Sequence, residues 1–289
     1  MYNLTDSAAV RSLLTKHGFN FSKGLGQNFI IDPEICPDMV EMSGINREYG
    51  VIEIGPGIGV LTRELCLRAG KVVSIEIDKR LLPILGETVG GFENLKIINA
   101  DVLKTDLKRL IADEFGDMPV CVCANLPYYI TSPVIMDLLE KKPGLKFVTV
   151  MVQKEWADRI ISPVGSREAG AVTAAVNYYS EPKKLFNVSK NSFMPAPKVD
   201  SSVIKMDIRS APPVGAEDEK FFFSVVKSAF GQRRKTAVNS LSSGLGISKE
   251  IISAALAECG FEPTVRAETL TMEQFCDLSN CILRKSRAD

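Results

Sequence analysis

From about residue 50 the chain alternates short apolar runs with longer stretches of helical spacing. The runs are VIEI (51–54), KVVSIEI (71–77), LKIINA (95–100), PVCVCA (119–124) and KFVTVMV (146–152). Between them lie segments such as VLTRELCLRA and RLLPILGETV, whose apolar positions recur every three or four residues. Continuous apolar runs separated by helix-length segments predict strands buried on both faces, hence a mostly parallel sheet with helices on either side. KLFNV (184–188) and SSVIKMDI (201–208) predict a closing pair that gives the sheet an antiparallel edge. The pattern changes at SAPPVGAEDE (210–219), where a proline-rich, then acidic stretch has the chemistry of a linker running into a helix N-terminus. Beyond it EKFFFSVVKSAF, KEIISAALAE and MEQFCDLSNCILRK have helical spacing, and no strand pattern appears. The expected fold is α/β, with a Rossmann-like sheet domain over residues 1–210 and a small all-α domain over 211–289.

Composition narrows the chemistry. At 45% hydrophobic and 24% charged residues, the chain has the balance of an ordinary globular protein. No apolar run reaches the length of a membrane span, and the first residues lack the apolar core of a secretory signal. The expectation is a cytoplasmic protein with no membrane partner. Seven scattered cysteines without any C-x-x-C read as reduced, packed thiols, with Cys121 and Cys123 on one side of their strand. A single histidine, His17, argues against a zinc site or a Ser-His-Asp hydrolase. The net formal charge of zero means that a nucleic-acid partner would need a local basic surface.

Candidate chemistry clusters at the ends of successive predicted strands. The first ends in EIGPGIG, a glycine-rich turn where no Cβ blocks a ligand from the backbone, with Gly55 and Gly57 nearest the strand. The dinucleotide fingerprint places its third glycine where this chain has Val60, which weakens a nicotinamide reading. The second strand ends in IEID, putting Glu76 where a carboxylate can hold ribose hydroxyls. The third ends in NADV, putting Asp101 where it can accept from the amine of adenine. Either acid alone could be a helix N-cap; the series together suits S-adenosylmethionine, which has an adenosine and a sulfonium but no pyrophosphate. The fourth strand runs into Asn125, Leu126, Pro127 and Tyr128. The Asn125 side-chain oxygen and a neighbouring main-chain carbonyl give two acceptors, and Tyr128 offers a face on which a base can stack, worth about 1–3 kcal/mol. Such a pocket suits the exocyclic amine of a purine. Acceptors on both N–H bonds draw the nitrogen towards a pyramidal geometry, and no strong base is required.

These motifs, taken with others along the chain, resemble the small-subunit (16S) ribosomal RNA adenine N6,N6-dimethyltransferases. The resemblance is carried by FSKGLGQNFIID (21–32), VIEIGPGIGVLT (51–62), ANLPYYITSP (124–133), MVQKEWADRI (151–160), FMPAPKVDSSV (193–203) and FGQRRKT (230–236). It implies a class I methyltransferase sheet and transfer of methyl groups from S-adenosylmethionine to two adjacent adenines near the 3′ end of small-subunit rRNA, during ribosome biogenesis. It further implies that Gln27, Asn28 and Ile30 close over the methionine end of the cofactor with Gly55 beneath, and that Glu76 binds the ribose and Asp101 the adenine. Asn125 and the Leu126 carbonyl would hold the target amine, Tyr128 would stack on the base, and Phe193 would be a second aromatic wall or a core residue. Arg233, Arg234 and Lys235, expected on a helix entering the small domain, would contact RNA phosphates. The implied partner is small-subunit rRNA in a pre-30S-like particle, met by a monomer. One departure is Ala169, where the family usually has a tyrosine before the glycine, so an altered loop contact is expected there. Two alternatives stay open on sequence alone: a large-subunit adenine methyltransferase of the antibiotic-resistance type, and a ribosome-assembly factor whose main role is binding. Neutral charge and the FMPAPKVDS stretch favour the small-subunit enzyme over the first, and the intact site residues count against the second.

Overall fold

The computed structural model describes residues 2–288. Its strands are β1 (Phe29–Ile30), β2 (Gly50–Ile54), β3 (Lys71–Glu76), β4 (Leu95–Asn99), β5 (Val120–Asn125), β6 (Leu145–Gln153), β7 (Ser180–Val188), β8 (Phe193–Met194) and β9 (Ser201–Ile208). The first helices are α1 (Ser7–Lys16), α2 (Ile35–Ser43), α3 (Val60–Arg68), α4 (Leu82–Thr88), α5 (Leu107–Phe115) and α6 (Thr131–Glu140). The later ones are α7 (Lys154–Ile161), α8 (Ala171–Tyr179), α9 (Glu219–Gly231), α10 (Ala237–Leu245), α11 (Lys249–Glu258) and α12 (Met272–Ala288).

Seven strands form one sheet in the order β4-β3-β2-β5-β6-β9-β7. The first five in that order run parallel, and β9 is antiparallel to β6, the expected mixed sheet. The central apolar runs, β2, β3, β5 and β6, are strands because both of their faces are covered, whereas β4 at the edge of the sheet is only partly buried. All five residues of β2 are buried. Val51, Cys121, Cys123, Met151 and Val203 pack on one face with Met39 and Val40 of α2 and Leu61 and Leu65 of α3. The alternate residues Ile52, Ile54, Val122 and Ala124 are equally buried. Cys121 and Cys123 share a face as their spacing requires, and all seven cysteines are free thiols. The chain runs outward from β2 through β3 to β4, then returns to β5 on the other flank of β2. That reversal opens a crevice beyond the carboxyl ends of β2 and β5, the place where ligands bind in open α/β sheets.

The segment before β2 adds a feature with no periodic signature. β1 pairs antiparallel with β8, matching Phe29 with Met194 and Ile30 with Phe193. Residues Val10, Leu13, Leu14, Phe19 and Phe29 join Ile84, Leu85 and Val89 in a second buried cluster. This packing ties α1 and the following loop to α4.

The molecule divides into two compact units: residues up to Ala157 with Glu181–Ile208, and Asp158–Ser180 with Arg209 onward. The chain passes between the units after Ala157, Ser180 and Ile208, so Asp158–Ser180 groups with the helices. The reason is aromatic packing within that unit. Tyr178 stacks on Phe222 at 5.3 Å and Tyr179 on Phe223 at 5.4 Å, joining α8 to α9. The Tyr179 hydroxyl also donates to Glu219 at 2.9 Å. Asp218 caps α9 by accepting from the Phe221 N–H. Among the described residues, no helix is long and apolar enough to cross a membrane.

Candidate active site

Beyond the ends of β2 and β5 lies a cavity of about 330 Å³, within the usual range for a small-molecule site. Gln27, Asn28, Ile30, Gly55, Gly57, Glu76, Asp101, Asn125, Leu126, Pro127, Tyr128 and Phe193 all line it. Residues scattered over 167 positions of chain, Gln27 to Phe193, are thus brought together by strand ends and by the β1–β8 pair.

The glycine turn after β2 has φ +70° at Gly55 and +60° at Gly57, a left-handed conformation that glycine takes without strain. A Cβ on Gly55 would meet no protein atom within 4 Å, so open space lies directly over the backbone. A Cβ on Gly57 would press on the Phe29 ring at 3.2 Å. Glu76 closes β3 almost wholly buried. One of its carboxylate oxygens accepts from the Asp78 N–H at 2.7 Å and the other from the Gly57 N–H at 3.4 Å. Burial raises its pKa, opposed by those backbone donors. Glu76 caps no helix; the cap of the next turn is Asp78. Asp101 does act as a cap, accepting from the Leu103 N–H at 3.1 Å, and still borders the cavity.

At the end of β5 the Asn125 Nδ2 donates to the Asn28 carbonyl at 3.5 Å, a long contact that turns the Oδ1 acceptor away from that carbonyl. The Leu126 N–H donates to the Met151 carbonyl, which fixes the backbone there. Because Pro127 has no N–H, the Leu126–Pro127 peptide offers only the Leu126 carbonyl, which receives no donor among the described residues. The Pro127 carbonyl is engaged by the Ile130 N–H and the Thr131 hydroxyl. Tyr128 is pinned by a 2.8 Å hydrogen bond between its hydroxyl and that of Ser201. Burial raises the pKa of the phenol, keeping it neutral. Phe193 is a core residue, 4% exposed, that also presents part of itself to the cavity.

The structure adds residues that the sequence pattern did not single out. Glu53 sits inside the buried β2 run and borders the cavity. Its Oε2 accepts from the hydroxyls of Thr62 at 2.7 Å and Ser74 at 2.6 Å, while Oε1 has no partner among the described residues. Burial pushes its carboxyl up to about 7 despite the two donors. The signal was there: a carboxylate in the middle of an otherwise apolar, fully buried strand. Tyr129, 54% exposed, also borders the cavity, its ring 3.4 Å from where a Cβ on Gly26 would stand. The Gln27 amide is spent on two protein partners, accepting from the Ser22 N–H and donating to Asp78.

Arg233, Arg234 and Lys235 belong to the helical unit and do not line the cavity. The sequence placed them on a helix; they occupy the turn between α9 and α10. The helix stops at Gly231 because Gln232 leaves helical geometry at φ −136° and ψ 59°, and the Lys235 N–H closes the turn onto the Gln232 carbonyl. All three are exposed, but Arg233 pairs with Glu268 at 2.8 Å and donates to the Arg167 carbonyl at 2.7 Å. Ala169 is fully buried in that same unit, its N–H on the Ser166 carbonyl.

The family model for ribosomal RNA adenine dimethylase matches residues 18–284. Ribosomal RNA small subunit methyltransferase A of Geobacillus thermodenitrificans (strain NG80-2) is 48% identical over 277 residues, covering 94% of each chain. The protein of the same name from Alkaliphilus oremlandii (strain OhILAs) is 45% identical over 286 residues, covering 99% of this chain and all of its own. Among solved structures, a dimethyladenosine transferase from Plasmodium falciparum superposes with a TM-score of 0.73 at 26% identity, covering 89% of this chain and 98% of its own. The 23S rRNA methyltransferase ErmE gives 0.67 at 27% identity, covering 88% and 99%. The family match spans nearly the whole chain, and the named relatives share close to half of its residues. The chain belongs to the ribosomal RNA adenine dimethylase family.

Proposed function

We propose that the cavity is the active site of an S-adenosylmethionine-dependent enzyme that dimethylates the N6 amines of adenines in small-subunit ribosomal RNA. The observation that carries this reading is that Asn125 and Leu126 line one cavity with the glycine turn and Glu76. The residues fit the cofactor: the open space over Gly55 accommodates a ligand against the backbone, and Glu76 and Asp101 stand at consecutive strand ends as acceptors for ribose hydroxyls and an adenine amine. When bound, the cofactor supplies an electrophilic methyl group. The protein's part is to present the target nitrogen. Asn125 Oδ1 and the Leu126 carbonyl accept from its two N–H bonds, which localises the lone pair on nitrogen. Tyr128, held by Ser201, and Phe193 supply faces for the base, which is read outside the stack. A chain with one histidine suits this chemistry, because the nitrogen sheds its proton only after it has become cationic.

The finer reading is of a monomer in the cytoplasm that meets its RNA in a partly assembled small subunit. The helical unit contacts that RNA through the turn bearing Arg234 and Lys235. One assay tests the substrate reading. Labelled S-adenosylmethionine is incubated with undermethylated small subunits or with naked large-subunit RNA. Dimethyladenine is expected only from the subunits; label in the large-subunit RNA alone would sink it.

A further inference from the structure

Residues 25–30 line one side of the cavity, and the segment 22–28 that leads into this wall is held differently at its two ends. Its far end runs into β1, locked to β8, with the Ile31 N–H on the Ser192 carbonyl at 2.9 Å. Its near end has no strand partner. There the Ser22 N–H donates to Gln27 Oε1 at 2.9 Å, and Gln27 Nε2 donates to Asp78 Oδ2 at 2.8 Å. Asp78 is fixed in turn by Arg80, which grips both carboxylate oxygens, Nε on Oδ1 at 2.8 Å and Nη2 on Oδ2 at 2.6 Å. The same guanidinium lies over the Phe19 ring at 5.1 Å and reaches the Asn20 carbonyl at 3.4 Å. Asp78 is 6% exposed, and the guanidinium beside it lowers its pKa, so the carboxylate is charged and shielded. Its N–H meanwhile donates to Glu76, the acid at the cavity edge.

We infer that Gln27, Asp78 and Arg80 form a latch that holds residues 22–28 shut over the cofactor, and that the wall opens at this point each time the cofactor is exchanged. The inference rests on the cofactor reading above. One residue, Asp78, serves both sides: its backbone N–H donates to Glu76 and its carboxylate accepts from Gln27 in the wall opposite. Apart from the long contact of Asn125 Nδ2 on the Asn28 carbonyl, one amide-to-carboxylate hydrogen bond fastens the near end of that wall, whereas the other end is a paired strand continuous with the core. Opening there leaves the Ser22 N–H held only by the freed Gln27 side chain, while Phe29 and Ile30 stay paired with β8. Dimethylating one amine consumes two methyl donors, so the cavity must release a spent cofactor between transfers to one nucleotide. The latch positions the wall and touches no reacting atom; Asp78 and Arg80 are positioning residues.

The test uses the full chain and labelled S-adenosylhomocysteine, the spent cofactor, chased with excess unlabelled compound. Arg80→Ala is expected to release it about fivefold to tenfold faster than the native protein, the scale of losing a charge-assisted contact that is half exposed. KM for S-adenosylmethionine should rise by a similar factor while kcat at saturation stays within about twofold, because the groups holding the amine are untouched. Arg80→Lys should restore part of the slow release, and Gln27→Glu, which sets two carboxylates face to face, should release faster than Arg80→Ala. Hydrogen exchange at the Ser22 amide, measured on the protein alone, should quicken in the same order. Equal release from all four proteins, or Ser22 exchange unchanged in Gln27→Glu, overturns the latch. Failure of the native protein to retain the label counts against the cofactor reading instead, and the Ser22 exchange then decides the latch without it.

Discussion

Asn125 can present an oxygen to a substrate because its nitrogen is already engaged by the Asn28 carbonyl. Asn125→Ala removes one of the two acceptors and leaves the glycine turn, Glu76 and Asp101 as they are. We expect kcat to fall by about 100-fold to 1,000-fold, the scale of losing one preorganised hydrogen bond in an active site, with most cofactor affinity retained. Single-turnover methylation and a cofactor titration check this; full turnover would remove the two-acceptor mechanism. Glu53 gives a different prediction, one about stability. Burial takes its pKa from 4.5 to about 7 in the folded chain. Between those values the native state keeps a proton that the unfolded state releases. The stabilisation is complete below the unfolded value and is lost as pH rises through the folded one. Glu53→Gln has no such proton to lose. Thermal melts from about pH 5 to about pH 8 should show the native protein losing Tm relative to Glu53→Gln as pH rises, and parallel curves would contradict it.

At the scale of elements, the turn from β2 into α3 is where sequence dictates most. Gly57 at φ +60° faces the Phe29 ring, so a side chain there pays twice: about 1 kcal/mol for the left-handed backbone, and the displacement of Phe29 from β1. Gly57→Ala should lower Tm by a few degrees and weaken cofactor binding about tenfold or more, because the turn and the wall opposite shift together. Calorimetry with and without S-adenosylmethionine separates the two effects. This turn and the central parallel strands were legible because a strand buried on both faces is apolar along most of its length, Glu53 being the exception in β2, and a glycine turn has its own spelling. β1 and β8 were not legible. Two residues carry no periodicity, and the partners lie more than 160 positions apart, so only the folded chain shows them paired. The helix α10, AVNSLSSGL, was hidden by serines and a glycine that locally favour turns; packing against α9 overrides them, Gly244 lying so close to Ser228 that a Cβ would meet its hydroxyl at 2.4 Å. Nor did sequence show Gln27 spending its amide on Asp78, since hydrogen-bond partners follow from loop geometry.

For the whole molecule the governing facts are a net charge of zero and a helical region, 210–289, with ten basic and ten acidic residues. Bulk attraction cannot bring such a protein to RNA, so affinity has to come from local cations left over after internal pairing. The run at 233–235 was legible as basic, but not which of its charges were already taken; that depends on Glu268 and the Arg167 carbonyl, remote in sequence. The structure separates the three. Arg233 is bound to its own unit, so Arg233→Ala should cost stability first and RNA affinity second. Arg234 and Lys235 lie exposed in the turn. If each neutralises one phosphate, replacing both with alanine should weaken RNA binding and lower the slope of log affinity against log salt by roughly 1.5–2, with Tm unchanged. The uniform weakening expected of phosphate contacts should appear on unrelated RNA sequences as well, whereas Tyr128→Ala should leave the salt slope intact and lower methyl transfer. Binding isotherms at several salt concentrations distinguish these outcomes. An unchanged slope in the double variant would mean that the phosphates are held elsewhere on the surface.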